Sequence, residues 1–377
     1  MKRPVPRPVA AVRTLALWAV VATLWPVGQP LPHEHQGFPT QLQESVPTGA
    51  SGRREEARGL FRIYKNGRLG FIDRTGRVVI EPQSNFVVPD WGTYPEFMEG
   101  LAMIEVETDE PNPGALSNKK KIGFVDTTGN VVIEPQLLQT AYDFSEGLAM
   151  VGRDYHYGFI DKTGRLVVPF RWQSARSFSE GLAAVGMNSK FGFIDKTGEV
   201  VIPLRFDGVS PFSEGLAEVT INLRSVFIDK TGRVVLEPRV DDADSFSEGL
   251  AAVYVNEKMG FMDKTGRVVV EPAYDSAQDF SDGMALVRVG GKAGYIDKTG
   301  RMVIRPRYEV ASDFSEGLAA VRVGRREGYI DKTGRFVIGP RPWDAGRFSG
   351  GLALVTVAGH RRGYINKAGE YVWRPSK

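Results

Sequence analysis

The stretch GYIDKTGRMVIRP, Gly294 to Pro306, returns almost unchanged as GYIDKTGRFVIGP from Gly328 to Pro340. Its aspartate recurs as Asp73, Asp126, Asp161, Asp195, Asp229, Asp263, Asp297 and Asp331, and Asn366 takes the place in a ninth copy. A second phrase, FSEGLAAV at Phe246 to Val253, precedes the copies, and its glycines from Gly147 to Gly351 are spaced by 34 residues. The two earliest versions are degenerate: FMEGLAMI at Phe97 to Ile104 and ARGLFRIY at Ala57 to Tyr64. Self-similarity at a fixed period of this size marks a unit that cannot bury its apolar side alone and does so against copies of itself.

Within one unit, MALVRV (Met284 to Val289), GYID (Gly294 to Asp297) and RMVI (Arg301 to Ile304) are short, β-branched or aromatic, and bounded by turn residues. Three strands per unit follow. In Asp297-Lys298-Thr299-Gly300 the aspartate can accept a hydrogen bond from the backbone two residues on, and the glycine supplies a positive φ. The repeated aspartate is therefore a turn residue by its chemistry. A calcium site would need six to eight oxygens where each turn offers one carboxylate. Nine units of three strands predict an all-β array over residues 58–375, stacked as an open superhelix or solenoid. The alternative is a closed, propeller-like ring.

The phrase GYIDKTGRMVI with DFSEGLA resembles the WG-repeat family of bacterial proteins. Its unit carries a glycine, the Asp-x-x-Gly turn and the Phe-Ser-Glu-Gly segment in this order. The resemblance implies a β-repeat fold and an exported or envelope protein, and it implies little chemistry. The family's tryptophan, just before the first glycine, is replaced here by Leu69, Ile122, Tyr157, Phe191, Ser225, Met259, Ala293, Glu327 and Arg362. A ligand role for that column does not transfer.

The amino terminus is of another kind. Lys2, Arg3, Arg7 and Arg13 accompany an apolar run from Leu15 to Val27, too short to span a bilayer comfortably but suited to a secretory signal over residues 1–28. Export to the periplasm, cell surface or exterior is expected, with an uncleaved anchor as the alternative. Residues 29–57, rich in Pro, Gln, Ser and Gly, read as a flexible spacer.

Of 377 residues none is cysteine, which excludes disulfides and thiolate metal sites, and a net charge of +3 gives no case for nucleic acid. The four histidines, His33, His35, His156 and His360, are scattered. A repeated aspartate does not make the unique constellation a catalytic site needs. The expectation is a protein that is not an enzyme and holds no cofactor, a binding or scaffolding module at the cell envelope. The rival is an accessory or inhibitor protein that clasps a protein partner through amino-terminal insertions.

Three groups of residues are candidates for partner contact. The insertions FVVPDWGTYPEF (Phe86 to Phe97) and ETDEPNPGALSNKKK (Glu107 to Lys121) offer Trp91, Tyr94, Lys119, Lys120 and Lys121. The ring column ending in Tyr295, Tyr329 and Tyr364 reads as core, with Tyr295 and Tyr329 as candidate stacking surfaces for sugars or peptides. The turn cations, among them Lys264, Arg267, Lys298 and Arg301, predict a basic rim for an anionic envelope polymer, on a separate edge from the acidic row Glu146, Glu180, Glu214, Glu248, Asp282 and Glu316.

Overall fold

The computed structural model describes residues 59–65, 68–83, 86–87, 97–111, 118–136 and 138–376. The signal and spacer expectations fall outside them. The described residues form nine antiparallel sheets in chain order, and helices are absent among them.

The seventh sheet shows the unit. Its strands are Ser276–Ala277, Met284–Val289, Lys292–Asp297 and Met302–Tyr308, hydrogen-bonded in that order. The expectation of three strands is corrected to four in most sheets. The additional strand lies hidden in the connection AYDSAQDFSDG, whose extended course continues beyond two formal residues: Gln278 N donates to Leu286 O and Ser281 N to Met284 O, both at 2.9 Å. A two-residue hairpin then reverses the chain, with Asp282 and Gly283 at φ of 57° and 76°. Positive φ at both central residues is the type I′ geometry that matches strand twist. Six other units place glutamate there, Glu99, Glu146, Glu180, Glu214, Glu248 and Glu316, each with φ between 53° and 56°. Glutamate is a poor choice for that backbone, and the reason it is used lies in the next sheet.

The apolar core lies between sheets. Tyr295, Ile304 and Leu286 of the seventh sheet share one cluster with Phe314, Ala319, Val321 and Ile330 of the eighth. Nine such clusters exist among the described residues, one for each neighbouring pair. The last joins Leu352 and Tyr364 of the ninth sheet to Ile63 and Ile72 of the first. The array is therefore a closed nine-bladed ring, and the open superhelix or solenoid is overturned by that contact. Among the described residues no strand is exchanged at the closure: Leu60–Lys65 pairs within the first sheet and Tyr371–Ser376 within the ninth.

The inner strand of each sheet faces the axis. Arg347 of the ninth sheet lies 3.2 Å from Asp313 Oδ2 of the eighth and 3.5 Å from Ser281 Oγ of the seventh, a reach across two sheets open only to groups near the axis. In the second to ninth blades the inner segment inserts one phenylalanine into the preceding interface. Phe280 meets Phe261 and Phe314 meets Tyr295, both at 4.8 Å between ring centres. Such ring pairs, edge-to-face at six interfaces and tilted at two, recur at eight interfaces.

Candidate functional site

Antiparallel order puts two kinds of connection on opposite faces of the ring. One face collects the Ser-Glu-Gly hairpins and the Asp-Lys-Thr-Gly turns. The other collects the tips that join the second and third strands of each blade.

On the first face the repeated chemistry is consumed by the fold. In the aspartate turns Asp297 Oδ1 accepts from Thr299 N at 3.0 Å and Thr299 Oγ1 at 2.6 Å, while Arg301 Nε donates to Oδ2 at 2.9 Å. The Thr299 hydroxyl is the main cause holding the Asp297 carboxyl below its usual range, and Thr75 and Thr163 bring Asp73 and Asp161 down to about 2. Between blades, Glu248 Oε2 accepts from Gly283 N at 3.0 Å and pairs with Lys298 Nζ at 3.0 Å. Ser247 Oγ donates to Phe280 O at 2.9 Å. The same clasp ties Glu214 to Gly249 and Lys264, and Glu316 to Gly351 and Lys367. The glutamates sit in the hairpin because their carboxylates hold the next blade's hairpin and turn.

The basic and acidic rows therefore do not occupy separate edges. Lys264 and Lys298 lie 3.1 Å and 3.0 Å from glutamates of the preceding blade, and Arg267 and Arg301 lie 3.3 Å and 2.9 Å from the aspartates of their own turns. The prediction failed because strand count fixes where turns project. With a fourth strand and a second hairpin, both rows return to one face. The stacking reading of Tyr295 and Tyr329 is also corrected: both rings are buried at 0 % exposure, and their hydroxyls donate to Ser312 O at 2.6 Å and Gly346 O at 2.7 Å. Burial raises both phenols far above their ordinary range.

The second face is where blades differ. Its tips read Asp154-Tyr155, Asn188-Ser189, Asn222-Leu223, Asn256-Glu257 and Gly290-Gly291, with positive φ at both residues of each. Tyr155 and Leu223 stand 87 % and 81 % exposed. From the second blade the hairpin Leu101–Pro111 and Asn118–Asp126, 11 and 9 residues long against 6 and 6 in the seventh, extends on this side. The insertion expected as a loop is thus largely strand. Lys119, Lys120 and Lys121 lie on its returning arm, with Lys121 opposite Val106 and Lys120 opposite Glu107. Trp91 and Tyr94 lie outside the described residues.

A third set of non-repeated residues lines the axis. Beside the inserted phenylalanines stand Asp143, Ser177, Pro211, Ser245, Asp279, Asp313 and Arg347. Half-buried Asp279 is raised to about 6, first by burial and then by Asp244 and Asp313. Glu218, 9 % exposed between the fifth and sixth blades, is raised to about 7 by burial, against the hydrogen bonds of Ser225 and Ser210. The period concealed this arc, since the acids stand at several positions of the unit and only the ring brings them together.

These raised values fix the sign of the pH response. The folded ring holds protons on Glu218 and Asp279 more tightly than the unfolded chain, whose values are near 4.5 and 3.8. Stability therefore rises as pH falls through 7 and 6 toward 4.5. The turn aspartates act oppositely and withdraw stability as pH falls below about 4. Melting temperature is expected to peak near pH 5, and Glu218→Gln with Asp279→Asn should flatten the slope between pH 5 and 7.5 in thermal scans.

Nine sheets of one repeated pattern, closed on themselves, define a β-propeller of tandem repeats. The WG containing repeat matches residues 70–89, 122–154, 157–191, 191–222, 227–258, 259–292, 294–325 and 328–359, and the chain belongs to that family. No curated protein sequence matches it. Among solved structures, BamB from Moraxella catarrhalis is similar at 14 % identity and a TM-score of 0.41, over 71 % of this chain and 95 % of that one. The dihydro-heme d1 dehydrogenase NirN is similar at 16 % identity and a TM-score of 0.45, over 72 % of each chain. Hsv2 from Kluyvelomyces marxianus gives 11 % and 0.39, over 59 % of this chain and 89 % of that one.

Proposed function

We propose that this chain is a non-catalytic binding and scaffolding ring of the cell envelope that presents its tip face to a protein partner. The carrying observation is the division between faces. One carries the same Glu-Gly-Lys clasp between most neighbouring blades, whereas the other differs among the described blades and exposes Tyr155 and Leu223. Residues that packing requires recur in each unit; residues it does not require are available for recognition. The basic start and apolar run to Val27 support export. Among the described residues no helix is long and apolar enough to cross a membrane.

A protein partner is favoured over an anionic polymer because the turn lysines and arginines named above already face carboxylates 2.9 to 3.3 Å away. The test is capture from envelope extract by the full chain at low and high salt. Tyr155→Asp with Leu223→Asp should abolish retention of the partner, while Lys298→Ala should leave it within about twofold. Retention lost with Lys298→Ala and high salt, yet kept by the tip variant, would return the function to the clasp face.

A further inference from the structure

Charge is not spread evenly around this ring. Residues 301–377 hold 15 lysines and arginines against 7 aspartates and glutamates, a net +8, although the whole chain carries only +3. Part of that excess stands on the tip face. In the eighth blade the tip is Gly324-Arg325, and Arg326 opens the returning strand opposite Val323. In the ninth blade Arg361 stands at the same register opposite Val357, and in the first Arg68 stands there opposite Lys65. Ring closure makes these three blades neighbours, although Lys65 and Arg361 belong to opposite ends of the repeat array.

In the fourth, sixth and seventh blades the cation at this register is neutralised. Lys190 pairs with Asp207 at 2.6 Å, Lys258 with Asp275 at 2.6 Å and Lys292 with Glu309 at 3.0 Å, in each case an acid 17 positions on. Seventeen positions after Arg326 stands Trp343 instead, buried, with its indole Nε1 donating to Glu327 O at 2.8 Å. The carboxylates of Glu327 and Asp344 are both taken by Arg322. Among the described residues no carboxylate pairs with Arg325, Arg326, Arg361, Lys65 or Arg68, and all five are exposed. Lys65 and Arg68 face one another across the first hairpin, where like charges repel. That arrangement works against the fold, and a partner that supplies negative charge relieves it.

Guanidinium groups offer paired donors that match the two oxygens of a carboxylate. We propose that the tips of the eighth, ninth and first blades form a docking arc for an acidic segment of a protein partner. The proposal rests on the tip face being the recognition surface, and it names the chemistry that one sector of that face selects. Shape favours a protein segment over an anionic membrane. The long hairpin of the second blade extends on the same side. A flat bilayer would meet that hairpin before it reached the arc, whereas a chain segment lies along the arc beside it.

The experiment measures binding of a fluorescein-labelled oligoglutamate peptide to the full chain by anisotropy, beside sedimentation with phosphatidylglycerol vesicles. Arg325→Glu with Arg326→Glu, and separately Lys65→Glu with Arg68→Glu, should each weaken peptide binding about tenfold, and binding to the natural chain should fall as salt rises. The control is Arg305→Glu with Arg335→Glu, two exposed arginines away from the tips, on the fourth strand of the seventh blade and just after the aspartate turn of the eighth. It makes the same change in net charge and should alter binding by less than about twofold. Equal melting temperatures verify that binding, not folding, is read. A loss in either arc pair beyond that of the control supports the docking site, and a loss in both supports its extent across the ring closure. No peptide binding by the natural chain, or no greater loss in the arc pairs than in the control, overturns the proposal. Vesicle sedimentation that the arc pairs abolish, without peptide binding, gives the arc to a membrane and overturns it equally. The peptide assay uses no captured partner, so its failure beside a capture that depends on Tyr155 and Leu223 removes the acidic segment and leaves the tip face as the docking surface.

Discussion

Phe280→Ala lowers the free energy of unfolding by about 4 kcal/mol. Phe280 is fully buried, packs its edge on Phe261 at 4.8 Å, and belongs to a cluster with Leu250, Val270 and Ile296 that spans the sixth and seventh blades. Its backbone carbonyl also accepts from Ser247 Oγ, so the inner strand that carries the ring is held by the preceding blade. Truncation leaves a cavity between two sheets that cannot close, because the clasps on either side fix their separation. Urea unfolding should show a lower midpoint with the slope unchanged. A loss under 1 kcal/mol would mean that the plugs are not the principal contacts between blades.

Gly76→Ala is expected to cost about 3 to 5 kcal/mol and to open the ring at one place. Gly76 ends the aspartate turn of the first blade at a φ of 87°, where a side chain is strained, and a Cβ there would press into the carbonyl of Val372 on the last strand. Strain and overlap act together at the seam, where the first sheet meets the ninth. Gly100→Ala is the matched control: it has φ of 85°, with nothing within 4 Å of the added carbon, so only the backbone strain of about 1 to 2 kcal/mol remains. Opening should appear as a larger radius of gyration in solution scattering and as new protease cleavage near the termini. Equal losses for the two substitutions, with no change in radius, would show that the seam does not hold the ring shut.

The sequence carried more of the unit than of the assembly. The aspartate turn could be derived from Asp297, Thr299 and Gly300 because a four-residue turn is decided by its own φ values and hydrogen bonds. The ring column was legible as core for a similar reason, since alternation along a strand states which residues share a side. The inner strand was not legible. AYDSAQDFSDG lacks alternation because one of its sides faces the axis, and glutamate at the hairpin disguised a turn that asparagine or aspartate would have announced. Asp282-Gly283 and Gly350-Gly351 were the readable copies. Missing that strand gave three strands per unit, and from three strands a solenoid.

The candidate sites divide along the same line. That Lys298 and Glu248 meet depends on a hairpin in one blade and a turn in the next, 50 positions apart in the chain, and neither local pattern contains the other. The acidic arc of Asp244, Asp279 and Asp313 and the basic arc of Arg326, Arg361 and Arg68 likewise join residues of different blades. By itself the sequence determined the repeat, its period, its turns and the residues each unit buries, because these follow from backbone preference and polarity within a few tens of residues. Only the tertiary structure decided that the ninth unit returns to the first, which face varies, and which charges are paired. Those depend on the rotation from one blade to the next, a quantity set by how whole sheets pack and carried by no single residue.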